Sequence, residues 1–350
     1  MIKYLKYELK KNLWLFGLLT AVCLVPYVAH MSTFTFWVGP TEDRYLNSTG
    51  LTNMTFELIV LCYLAPLFVY SFKMNKRSVD AFYSLPLKRE KLYFVKTLVG
   101  LFLVLIPFTL TYWSGFLALL CRPENPYYMS WYVPAYFGAL FLGTCIYGMS
   151  AFVYTRANNV GDGVVFLVAY SFVGILILEY IEMLIHTSMP WWLTDNFTFW
   201  GAISQFGNNI GILIKGGTPN RWSVAMFIIP FLLGGIGYFL LFYTLRFEKG
   251  ESAEQCSDSW YGYRVLLPLF IALIVAINNF SLLNRVMTLI CGIVVTVVWR
   301  HTLKFSWKYW VTLVGAVVLG ILLGMLVDWT APIVNPPSQA FGVLQALFAL

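Results

Sequence analysis

Glu179 and Glu182 stand three residues apart inside an apolar run, so on a helix they share one face. A carboxylate at membrane depth is costly and marks a pathway for cations or cationic substrates. The same run ends at Ile185 and His186, which would instead put both acids within reach of headgroup water. Asn278 and Asn279, with Ser281 close behind, can line a polar cavity or bond one helix to another. The histidines His30, His186 and His301 fall on three separate segments with no helical pair, which gives no metal or general-base constellation. Cys23, Cys62, Cys121, Cys145, Cys256 and Cys291 form no CxxC and read as small packing residues. The chain has no GxxxxGK[ST], no GxGxxG opening a helix and no HExxH. It is therefore expected to hold no cofactor and to catalyse nothing by itself.

These residues need a scaffold, and composition names its solvent. Of 350 residues, 59% are hydrophobic and 11% charged, with a mean hydropathy of +0.73. Soluble domains carry about 25% charged residues, so this chain cannot cover itself with a polar surface and lipid must do so. The net charge of +7 is spread over short loops between apolar runs, which excludes a nucleic-acid patch. A membrane helix needs about 20 mostly apolar residues. Nine runs qualify: 14–30, 56–72, 93–120, 132–154, 164–185, 222–245, 265–283, 286–299 and 309–327. The expected fold is an all-α polytopic bundle of about eight or nine transmembrane helices. The eighth run is short and can pair with the seventh as a hairpin turning at Asn284 and Arg285; the third contains Pro107 and is expected to kink or tilt. Gly234, Gly235 and Gly237, and Gly315, Gly320 and Gly324, read as small faces for close helix packing.

Orientation follows from the loops. With the N-terminus in the cytoplasm, 18 of the 23 Lys and Arg residues fall inside, seven of them between 73 and 96. Only Arg44, Arg122, Lys215, Arg221 and Arg285 fall outside. Segment 2–12 sets Ile2, Leu5 and Leu9 against Lys3, Lys6, Lys10 and Lys11, the pattern of an amphipathic helix on the inner surface. It has no small-residue cleavage site and is not read as a removable signal. The sequons at Asn47, Asn53 and Asn196 match the glycosylation acceptor and lie outside in this orientation. The outer loop 186–221, rich in Trp and Phe, suits the headgroup level.

The most informative cytoplasmic stretch is 73–96. Ser78 can cap a short helix through Val79, Phe82 and Tyr83, and Pro86 stops it. Such a helix, showing Asp80, Phe82, Tyr83 and Leu85, is a docking knob for a soluble partner; an ordinary positive-inside loop would carry the same charges. Arg77-Ser78-Val79-Asp80, then Ser84-Leu85-Pro86 and Lys88-Arg89, resembles the first cytoplasmic loop of ABC-2-type permeases of Gram-positive bacteria. The N-terminal helix and the segment Arg246 to Ala253 resemble other parts of that family. The likeness covers 1–260 in arrangement and is sharp in 77–92. The runs after 260 depart from its six-helix pattern and resemble longer peptide-antibiotic and toxin exporters.

The expected domain plan is an interfacial helix 1–13, then, as the resemblance implies, a six-helix permease core 14–260 with a coupling loop 73–92, followed by extra transmembrane helices 261–330 and an outer tail 331–350. The resemblance implies a coupling helix with Arg77, Asp80, Phe82, Tyr83 and Leu85, docking a separate ATPase subunit that binds ATP and magnesium. It implies a second permease copy or a sister permease, a bacterial plasma membrane, and export of amphipathic peptides, toxins or hydrophobic drugs. Glu179, Glu182, Asn278 and Asn279 would then border the substrate pathway. A membrane-embedded lipid enzyme would need polar residues converging at one depth. An ion-coupled carrier would need charges at the midplane. Neither pattern is present in the sequence.

Overall fold

In lipid, an apolar segment satisfies its backbone as a helix, and helices are what these runs form. The computed structural model describes residues 2–33, 37–38, 44–45, 48–84, 88–121, 129–185, 225–245, 253–255, 257, 262–277, 286, 290, 292–294 and 307–334. Ten α-helices are assigned among them: α1 (Ile2–Lys11), α2 (Leu13–Thr33), α3 (Ser48–Tyr70), α4 (Lys76–Tyr83), α5 (Arg89–Leu120), α6 (Met129–Thr155), α7 (Val160–Ile185), α8 (Ala225–Thr244), α9 (Tyr263–Ile277) and α10 (Trp307–Val334). A 3-10 turn, Ser71–Met74, joins α3 to α4. A two-residue strand pair, β1 (Trp37–Val38) with β2 (Arg44–Tyr45), runs antiparallel between α2 and α3.

Eight of the nine apolar runs carry a described helix; run 286–299 lies mostly outside the described residues. Five helices are long and apolar enough to cross a membrane, or six if α1 and α2, bent by 51°, count as one. The apolar stretches Pro230–Thr244 and Tyr263–Ile277 are shorter. The protein is thus a helical, membrane-embedded chain.

The chain divides into two units, 1–167 with 195–255, and 168–194 with 256–350. In the first, α2 packs on α5, α3 on α5 and α6, and α6 on α8. Leu58, Leu61, Cys62 and Ala65 form the fully buried face of α3. Helix α8 has its interior and exterior reversed relative to a soluble helix. Ile228, Phe231, Leu232, Ile236 and Phe239 face outward, where lipid is their solvent, while Gly234, Gly237, Leu241 and Leu245 face α6. In the second unit α9 packs on α10 through Ile271 and Val275 against Leu313 and Ala316. Gly320 lets α10 approach the backbone of Ala272, and the Tyr180 hydroxyl of α7 donates to the Leu323 carbonyl at 3.1 Å.

Candidate functional site

The stretch singled out between α3 and α5 folds as an ordered device. Tyr70 and Thr97 hydroxyls meet at 2.7 Å where α3 ends against α5. Lys73, buried, donates to the Thr155 carbonyl at the C-terminus of α6, the negative end of that helix. Asn75 then turns extended (φ −120°, ψ 123°) and starts α4. Here the expected cap is corrected: Ser78 lies inside α4, and the cap is Asn75, whose side-chain oxygen accepts from the Arg77 amide at 3.0 Å. The helix therefore begins three residues earlier than expected. Its end is closed by the Ser84 amide donating to the Asp80 carbonyl at 3.0 Å.

Of the expected coupling residues, Arg77 and Asp80 are exposed, together with Lys76, Ala81 and Ser84. Phe82 and Tyr83 are half-buried and engaged within the protein. The Phe82 ring meets Phe72 at 4.7 Å between centroids, and the Tyr83 hydroxyl lies 3.3 Å from that of Tyr93 on α5. Arg89 sits over the Tyr83 ring at 4.5 Å. Leu85 lies outside the described residues, as do Asn278 and Asn279. Glu179 is exposed and Glu182 half-buried on α7.

Under α4 lies a pair that local sequence patterns did not mark. Glu8 of α1, 1% exposed at its side chain, accepts from the Lys96 ammonium of α5 at 2.9 Å; Lys96 is 7% exposed. The ammonium also sits over the rings of Phe82 at 4.4 Å and Phe72 at 5.0 Å. The second Glu8 oxygen accepts from the Tyr4 hydroxyl at 2.7 Å. Burial, and then the carboxylate beside it, push that hydroxyl up, so it remains a donor. Helix α1 thus turns Glu8 inward, the one buried residue of its length, while Ile2 stays exposed. The available signal was that Glu8 is the only acid in the first 41 residues, set among lysines.

A third element arrives from after α8. Glu254 adopts a left-handed conformation (φ 63°), uncommon outside glycine. This conformation brings its amide to the Asn158 carbonyl at 3.1 Å and its carboxylate to the Lys76 amide at 3.3 Å, at the positive end of α4. The Lys76–Glu254 ion pair itself, 4.0 Å and half exposed, adds little. The arrangement holds a two-turn helix rigidly at the basic end of the unit, apolar side inward and polar side outward. Among the described residues no three His, Cys, Asp or Glu side chains group as metal ligands. Comparison with family models, with curated proteins and with solved structures finds no match.

Proposed function

We propose that the chain is the membrane subunit of an ATP-driven exporter of ABC-2 type, with about eight or nine spans, sitting in a bacterial plasma membrane with α1 on its cytoplasmic surface. The observation that carries this reading is α4. It is a capped helix with an exposed polar face of Lys76, Arg77, Asp80, Ala81 and Ser84, and an inner face locked to α5 by Phe82 and Tyr83. A partner pressing on that face moves α5 through close contacts rather than through a loose loop. The partner in this reading is a P-loop ATPase, since this chain has no phosphate-binding loop. Its nucleotide-driven closure would switch the bundle between inward- and outward-open states, and a second permease copy or sister permease would complete the pathway. The cargo is an amphipathic peptide, toxin or hydrophobic drug, because the helices offer few charges to hold a polar solute.

The test is purification from the native membrane in mild detergent, followed by mass spectrometry. A P-loop ATPase is expected to accompany the protein. It is expected to be lost from the variant carrying Arg77→Glu and Asp80→Lys, both exposed changes that leave the fold intact. Phe82→Ala is expected to keep the ATPase bound while uncoupling its activity from substrate. Absence of any ATPase from the native preparation would end this reading.

A further inference from the structure

Between the α1–α2 junction, the end of α3, the start of α4 and α5 lies a cleft of about 460 Å³. That volume is within the range of small-molecule sites, about 300–1,000 Å³. Its lining combines two chemistries. It includes Lys11, with Asn75 and Ser78 from the start of α4. It also includes Trp14, Phe68 and Val160, which are 66%, 43% and 43% exposed. The floor is the Glu8–Lys96 pair, whose charges cancel at 2.9 Å. Lys11 is exposed and has no carboxylate partner among the described residues. The charged side chains that line the cleft, Glu8, Lys11 and Lys96, therefore leave the net charge of one cation.

We propose that this cleft binds an anionic phospholipid, headgroup phosphate against Lys11 beside Asn75 and Ser78, acyl chains along Trp14, Phe68 and Val160. A soluble anion would use the cationic residue and leave the apolar residues idle; an uncharged lipid would do the reverse. An anionic amphiphile satisfies both. The cleft also lies at the lysine-rich end of the unit, which the positive-inside rule sets against the leaflet bearing negative surface potential. Trp14 is exposed, and an indole ring suits the headgroup level. The inference needs a membrane-embedded protein and does not rest on the exporter reading.

Delipidated protein in a nonionic detergent, titrated with dioleoylphosphatidylglycerol or dioleoylphosphatidylcholine and read by native mass spectrometry, tests it. The native chain is expected to prefer the glycerol lipid. Lys11→Ala is expected to weaken that lipid about fivefold, the worth of one lysine near an anionic surface, and Lys11→Arg to retain it. Val160→Trp, a change at an exposed apolar lining residue, is expected to weaken the same lipid by filling the cleft. Equal binding of the two lipids, or indifference to Lys11→Ala and Val160→Trp alike, overturns the proposal. Displacement of the bound lipid by millimolar inorganic phosphate would also overturn it, and would identify a plain anion site.

Discussion

Lys96→Met is expected to cost the folded state about 3–5 kcal/mol, the cost of removing one member of a buried ion pair. The substitution leaves the Glu8 carboxylate 1% exposed, with the Tyr4 hydroxyl as its remaining side-chain donor. Glu8→Leu is expected to cost less. It strands the ammonium, but two ring faces at 4.4 and 5.0 Å stay beneath it. The double variant Glu8→Leu, Lys96→Met is expected to recover most of the loss, since apolar residues of similar volume replace buried pairs at little cost. Thermal unfolding of the purified protein in detergent reads all three. Additive losses in the double variant would mean that the two groups act on separate neighbours and that α1 is not tied to α5 through them.

The contrast between what was legible in the sequence and what was not turns on range. Hydropathy and bordering charges located α5, α6 and α7 closely, because both are local properties of the chain. The start of α3 was missed: the run begins at 56, the helix at Ser48. The residues between are Ser, Thr and Asn among apolar neighbours, and hydropathy measures partition into lipid rather than helicity. The expected cap at Ser78 gave way to Asn75 for a related reason. Both residues can accept an amide bond, and the path of the chain out of the 3-10 turn decided which one stands at the helix start. Phe82 and Tyr83 read as a docking surface because they are apolar among charges. In the fold that same apolarity turns them inward onto Phe72 and Tyr93.

Nothing local could reveal Glu8 with Lys96, which are 88 residues apart. Each looks like an ordinary surface charge in its own segment. The polar face of α4 stays exposed because its apolar face is occupied, and the elements that occupy it belong to α1, α5 and the 3-10 turn.

Gly237→Leu is expected to prevent α8 from packing on α6. A side-chain carbon at Gly237 would stand 2.8 Å from the Met149 backbone, and one at Gly234 would stand 2.6 Å from the Cys145 Cα. Backbone atoms cannot rotate away, so the helices must separate. Separation would also pull the Tyr238 hydroxyl from the Thr144 carbonyl it meets at 2.9 Å. Even Gly237→Ala should cost about 1–3 kcal/mol, the range for overpacking a close contact. Gly235 is the internal control, one or two positions away on the same helix with nothing within 4 Å. Gly235→Ala is expected to be neutral or mildly stabilising, since alanine favours helix over glycine by up to about 1 kcal/mol. Size-exclusion profiles after graded heating would rank the variants: native and Gly235→Ala together, Gly237→Ala lower, Gly237→Leu lost. If Gly235→Ala and Gly237→Ala fell equally, the effect would belong to glycine in a membrane helix generally. The close approach of α6 and α8 would then carry no special weight.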